Sequence, residues 1–130
     1  MAVNVTANWR LLRALDPSLR ASEAGRVVLV SSGAATSCTA YWGPYSISKA
    51  ALEALARTYA AETRTTPVRV MLVNPGPLRT AMRAQAMPGE DPAALKTPQD
   101  LAPWFVKLAD PAWTETGKVF DFPRGEVISR

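Results

Sequence analysis

The sequence predicts an α/β fold: a parallel sheet of about three strands layered against three main helices. Two runs of consecutive apolar residues carry that prediction, 27–30 (VVLV) and 70–73 (VMLV), with a 20-residue stretch of helical periodicity between them. A strand that is apolar at every position is buried on both faces, as in parallel sheets covered by helices on both sides. A helix between two such strands is the crossover that parallel pairing requires.

The elements follow in order. In 3–25, Val5, Trp9, Leu12, Leu15 and Leu19 recur at helical spacing, which predicts a first helix starting almost at Met1. Pro17 kinks it or marks its last turns, and Gly25 stops it. The first strand, 27–30, ends in Ser31, Ser32 and Gly33. In open α/β sheets the ligand crevice lies at the carboxyl ends of the strands, so these hydroxyls stand where a ligand would be met. A polar loop leads to a long helix over 44–63, opened by Pro44 in its first turn and carrying Ile47, Ala51, Leu55 and Tyr59 as its apolar stripe. The second strand ends in the turn Asn74-Pro75-Gly76-Pro77. Residues 78–95 are ambiguous, a short helix followed by a loop around Pro88-Gly89. Thr97, Pro98 and Asp100 form an acidic capping box at the start of a third helix that Pro111 closes. Residues 117–122 (GKVFDF) alternate as a last strand.

Composition narrows the function. The chain of 130 residues carries 15 basic and 11 acidic residues, net +4, but the basic residues are dispersed. A nucleic-acid or membrane-surface site needs a clustered patch, so neither is expected as a partner. With one cysteine, Cys38, no internal disulfide forms and no metal site is expected. With no histidine, every Ser-His-Asp arrangement is excluded, and acid–base work falls to Tyr, Lys, Asp or Glu. No apolar run approaches the ~20 residues of a membrane span and no signal peptide is visible, so a cytoplasmic protein is expected.

Tyr45 and Lys49 are the candidate chemistry. Four apart on a helix, they project from one face and can meet the same small molecule. A free phenol titrates near ~10, so acting as a base at neutral pH takes a shift of about 3 units, or about 4 kcal/mol. One ammonium at ~4 Å in an effective dielectric near 20 supplies about that much. The positive end of the helix dipole adds to it. Ser32 could hold a substrate oxygen while Tyr45 moves the proton. The competing readings are ordinary ones: a solvated helix face for the Tyr–Lys pair, and a turn former for Ser32. Tyr41, Trp42 and Met82 are candidates for an apolar pocket wall, although aromatics before a helix also staple it to the core.

Ser32, then Tyr45-Ser-Ile-Ser-Lys49 thirteen residues on, then Asn74-Pro75-Gly76-Pro77-Leu78-Arg79-Thr80 after the next strand, together resemble the short-chain dehydrogenase/reductase family. The resemblance covers nearly the whole chain, including a first helix with Asn4 near its start. It implies a partial Rossmann-type, doubly wound sheet and reversible hydride transfer between NAD or NADP and a small alcohol or carbonyl substrate. Tyr45 would be the general acid–base. Lys49 would assist it and bond the nicotinamide ribose, Ser32 would orient the substrate, and Asn4 would hold a water in a relay to Lys49. Pro75, Gly76 and Leu78 would flank the nicotinamide, and Thr80 would bond its carboxamide or the pyrophosphate. Residues 82–96 would form a substrate lid, and the two long helices would pair subunits into a homo-oligomer.

The family's Gly-rich turn, which binds the adenosine and pyrophosphate half and precedes this region, has no counterpart here. The expectation is therefore that residues 1–130 form the C-terminal, catalytic half of a dinucleotide-binding domain, with Met1 an internal methionine of the long helix and the residues that select NAD or NADP outside the chain. The alternative is a non-catalytic remnant acting as an oligomerising α/β module.

Overall fold

The computed structural model describes residues 2–78 and 80–129, apart from the side chains of Ala2, Ala81, Met82 and Ala86. A π-helical turn, Ala2–Thr6, leads into α1 (Ala7–Ala21). Then come β1 (Arg26–Val30), the short α2 (Ala34–Ser37), α3 (Gly43–Glu62), β2 (Arg69–Asn74) and α4 (Ala81–Ala86). A 3₁₀ turn (Pro92–Ala94), α5 (Pro98–Ala109), β3 (Lys118–Asp121) and β4 (Glu126–Ile128) complete the order. The strands form one sheet, β1-β2-β3-β4. Its first two pairings are parallel, with Val28 opposite Met71 and Val73 opposite Phe120. The third is antiparallel, with Phe120 opposite Val127. The α/β class is as expected, and β4 is an addition to it. No helix among the described residues is long and apolar enough to cross a membrane.

Alternation along β2 builds the two cores. Val70 and Leu72 point to one face, where Leu12 of α1 and Ala56, Tyr59 and Ala60 of α3 close over them with Val68 and Val119. Met71 and Val73 point to the other, packed with Leu101 and Leu108 of α5, Phe120 and Phe122. Trp104 stacks on Phe120 at 4.1 Å between centroids. Each such side chain, fully buried, contributes about 1.5–3 kcal/mol of transfer free energy, so the central strand holds the three layers together.

Three expectations need correction. β1 is not buried on both faces: its residues are half-buried and Val30 is 44% exposed, because β1 is the terminal strand of the sheet. The buried stripe of α3 does not start from Ile47. Ser48, Leu52, Ala56 and Tyr59 are buried, whereas Ile47 is exposed and Ala51 and Leu55 are half-buried. Those inward positions contain more polar and small residues than their neighbours, so hydropathy alone selected the wrong rows. α1 ends at Ala21, with Ser22 as its C-cap, before the predicted stop at Gly25. Gly25 is needed for another reason: a Cβ there would lie 2.6 Å from the Leu19 carbonyl oxygen.

At the end of the sheet opposite the crevice, Arg26 uses all five guanidinium N–H groups on main-chain carbonyls. Nε donates to Asp110 at 3.1 Å, Nη1 to Gly25 and Pro67 at 2.9 Å each, and Nη2 to Pro111 at 2.8 Å and Trp113 at 3.2 Å. Burial, with Arg69 nearby, holds its pKa below the ordinary value, partly offset by Asp110. The capping box of α5 forms as predicted, with Thr97 and Asp100 each bonding the other's backbone N–H.

Candidate active site

The carboxyl ends of β1 and β2 and the first turn of α3 meet at one edge of the sheet. The Ser31 amide donates to the Val73 carbonyl at 2.7 Å, and the Phe122 amide to the Asn74 carbonyl at 2.9 Å, so three strand ends are tied side by side. Beyond them the chain turns twice. Ser32 Oγ accepts from the Ala34 amide at 3.1 Å and opens α2. Asn74 Oδ1 accepts from the Gly76 amide at 3.1 Å and shapes the Pro-Gly turn. The two turns adjoin: a Cβ built on Gly33 would lie 3.7 Å from Asn74 Nδ2. Gly76 has φ +66°, and a Cβ on it would lie 2.4 Å from Pro123 Cγ, so only glycine fits there without displacement.

Tyr45 stands at the third position of α3, after Gly43 and Pro44, and is 40% exposed. Trp42 packs edge-on against its ring at 5.9 Å and 75°. Lys49 Nζ lies 5.8 Å from the Tyr45 ring centroid and donates to the Val30 carbonyl at 3.0 Å. The phenol oxygen has no hydrogen-bond partner among the described residues. The amine is thus anchored to the end of β1, while the phenol stands exposed on the same helical face.

Asn4 lies in the π-helical turn. Its Nδ2 donates to Ser48 Oγ at 2.9 Å, which in turn donates to the Tyr45 carbonyl at 2.9 Å, and its own carbonyl accepts from Asn8 Nδ2 at 2.8 Å. The structure thus links Asn4 to the Tyr45 backbone through Ser48. Leu78 packs its side chain into the α5-side core and bridges Lys96 through its backbone. Thr80 caps α4, its oxygen accepting from the Arg83 amide at 3.1 Å. Tyr41 is fully exposed with φ +69°, so it staples nothing to the core. The side chain of Met82, the third expected pocket residue, lies outside the described residues. Between Leu78 and Lys96 the segment folds back on itself, and Arg83 clamps Glu90 with two bonds of 2.8 Å. That pairing raises the Arg83 pKa and lowers that of Glu90.

Sequence reasoning missed the contact directly beneath the site. Ser31 Oγ donates to Glu53 Oε2, and Glu53 is 2% exposed, with Arg57 Nη1 at 3.7 Å from its other oxygen. The available signal was an acidic residue between Leu52 and Ala54 with an arginine four residues on.

A second concavity lies between α1 and α3, about 250 Å³, lined by Trp9, Leu12, Arg13, Asp16, Leu55 and Tyr59 among others. Tyr59 Oη donates to Asp16 Oδ1 at 2.6 Å and Arg20 Nε to the same oxygen at 2.7 Å. Burial, then the bond to Asp16, pushes the Tyr59 phenol up to about 12, and the Tyr59 and Arg20 bonds hold Asp16 below its ordinary value.

A family model described as short chain dehydrogenase matches residues 1–91. The chain is 44% identical over 126 residues to YciK, an uncharacterized oxidoreductase of Escherichia coli (strain K12), covering 96% of this chain and 50% of that protein. It superimposes on a crystal structure of a short chain dehydrogenase from Salmonella enterica serovar Typhi with TM-score 0.86 and 43% identity, over 92% of this chain and 50% of that one. A short chain dehydrogenase of Escherichia coli CFT073 complexed with NADPH matches with TM-score 0.85 and 44% identity, again over 92% and 50%. The chain spans about half the length of these relatives. With its phenol and amine on one helical turn beside the two strand-end turns, and with these matches along its length, the chain belongs to the short chain dehydrogenase family.

Proposed function

We propose that this chain is the C-terminal, catalytic half of an NAD(P)-dependent oxidoreductase domain that interconverts a small alcohol and a carbonyl, working as part of a longer polypeptide. The observation that carries the proposal is the placement of Tyr45 and Lys49 on the opening turns of α3, at the strand edge from which Ser32 and the Pro75-Gly76 turn emerge.

The residues present fit the nicotinamide half of such a cofactor. Lys49 has three N–H donors and commits one to Val30, leaving two for ribose hydroxyls. Thr80 offers a hydroxyl that, while accepting from Arg83, can still donate. Pro75 and Gly76 present a tight turn that a ring can approach closely, with Leu78 holding that turn to the core. When bound, the nicotinamide supplies the site of hydride gain or loss. The chain's own residues handle the proton. In oxidation the Tyr45 oxygen accepts the alcohol proton; in reduction it returns one to the developing alkoxide. The Lys49 ammonium favours negative charge on that oxygen, and the Ser32 hydroxyl donates to the substrate oxygen. Asn4 acts in this scheme through Ser48 and the Tyr45 backbone, and a water held there would extend the chain toward Lys49. Trp42 and Tyr41 supply apolar surface at the mouth, and residues 82–96 cover it as a lid. The exposed free thiol of Cys38 accords with a cytoplasmic setting.

The test is Tyr45→Phe in the NADPH-loaded protein. Carbonyl reduction should fall by about 10²–10⁴, the span general acid catalysis supplies, with NADPH affinity within a few-fold of the parent; unchanged turnover removes Tyr45 from the mechanism. The 130-residue chain by itself should enhance NADPH fluorescence little, and tight binding by it would overturn the division into halves.

A second reading, a non-catalytic oligomerising module, draws on the α1–α3 groove. Its rim carries exposed Trp9, with Leu11 and Leu15 exposed elsewhere on α1, which supports pairing of two copies through these helices. Pairing serves either reading. A sedimentation experiment showing a dimer together with an inert Tyr45 would favour the module.

A further inference from the structure

We propose that Glu53 is a positioning residue for Ser32, acting through Ser31; this rests on the reading of Ser32 as the group that orients the substrate oxygen. Two successive turns of α3 grip two successive residues of β1's end. Lys49 Nζ holds the Val30 carbonyl, and one turn on Glu53 holds the Ser31 hydroxyl. Ser32 is the first residue beyond that grip. Its own polar atoms face forward into the next turn, accepting from the Ala34 amide at the hydroxyl and from the Ala35 amide at the carbonyl, both at 3.1 Å. The location of the Ser32 hydroxyl relative to Tyr45 is therefore set by how firmly residues 30 and 31 are tied to the helix that carries Tyr45.

The two ties are not equivalent. Lys49 is half-exposed and stands at the crevice, where the proposed function turns its ammonium toward a ligand. Its three donors are then divided between Val30 and that ligand. Glu53 is sealed from solvent, and a carboxylate in such a place persists only with compensating partners; here Ser31 Oγ meets one oxygen and Arg57 approaches the other. The Glu53–Ser31 bond is the buried side-chain tie, which no ligand shares. The same strand end is also fixed laterally by the Ser31 amide on the Val73 carbonyl, which sets its height in the sheet, whereas Glu53 sets its distance from α3.

Ser31→Ala removes the donor at little steric cost, Ser31→Thr restores a hydroxyl, and Glu53→Gln keeps an acceptor oxygen. Amide hydrogen exchange is read at Ala34, Ala35 and Thr36, which report the turn at Ser32, and at Val70 and Leu72 in the central strand. Losing one hydrogen bond should speed exchange in the turn about 10-fold, leaving β2 unchanged. Ser31→Thr should return it toward the parent, and Glu53→Gln should have the smaller effect. Adding Glu53→Gln to Ser31→Ala should not worsen the turn further, since both act on one bond. Equal acceleration in the turn and in β2, or no acceleration in either, overturns the proposal. In the NADPH-loaded protein, with 9,10-phenanthrenequinone as the carbonyl probe, Ser31→Ala should lower kcat about 10-fold with KM for NADPH unchanged. If Tyr45→Phe reduces the quinone as well as the parent does, the acid–base reading fails, while the exchange result still decides the role of Glu53.

Discussion

Replacing Gly76 by alanine tests the site's most constrained backbone position. Two costs add. Alanine at φ +66° carries the left-handed penalty of roughly 1–2 kcal/mol. Its Cβ would also stand 2.4 Å from Pro123 Cγ, more than an ångström inside the roughly 3.5–4.0 Å of an unstrained carbon contact. The proline ring cannot swing aside, so relief requires the 75–78 turn to part from the 122–125 turn, an overpacking cost of about 1–3 kcal/mol. Together these come to about 3 kcal/mol. An unfolding entropy of roughly 2.1 cal/mol/K per residue, taken over 130 residues, converts that into a fall in Tm of about 10 °C. Thermal unfolding followed by far-UV circular dichroism measures it. If the proposed function holds, displacing this turn should also weaken NAD(P)H binding by the longer polypeptide. Gly76→Ala combined with Pro123→Ala removes the clash but not the φ penalty, and should recover about half the loss. A single variant melting within about 2 °C of the parent, or a double variant no better than the single, would refute the reasoning.

Arg26→Lys offers three donors where five are used and lacks the planar fork; it should cost about 1–2 kcal/mol in urea unfolding, and parental stability would show that water satisfies those carbonyls equally well. Tyr59 gives a pH signature. Its folded pKa, about 12, lies above the ordinary 10.0, so its contribution is complete below pH 10 and is lost as pH rises toward 12, amounting to about 2 kcal/mol by pH 12. The difference in stability between parent and Tyr59→Phe should shrink across that window, and a flat difference rejects the burial of this phenol. Asp16 behaves in the opposite sense. Its folded pKa is depressed, so its contribution is present above the ordinary carboxylate range and is lost on acidification, and Asp16→Asn should remove that acid sensitivity.

The strands and the long helices were legible because their signals are local. Aliphatic runs, Pro44 in a first turn and the Thr97–Asp100 capping box each act over a few residues. β4 was not, since 126–128 is three residues long and is a strand only because Phe120 and Val127 pair across the turn at Gly125. The inward face of α3 was misjudged for a similar reason. Ser48 and Glu53 are buried by partners far away in sequence, Asn4 and Ser31, and a hydropathy pattern assigns such residues to water. At the site, the four-residue spacing of Tyr45 and Lys49 was readable from the helix repeat. The tie between Lys49 and Val30 depended on how β1 meets α3, which no local rule specifies. Arg26 shows the same limit, because its five acceptors come from three separate stretches, Gly25, Pro67 and residues 110–113.

The two ends of the sheet differ in their capacity to grow. At one end lies β4, three residues long, with Glu126 and Arg124 beside it, a poor template for a further strand. At the other lies β1, Arg26 followed by four aliphatic residues, with Val30 open to solvent. The sheet is thus directional, like a polymer with one terminated and one living end. A strand added beside β1 would run alongside the residues that lead into Ser31 and Ser32. A strand at that edge would thus flank Ser32, the residue proposed to orient a substrate oxygen.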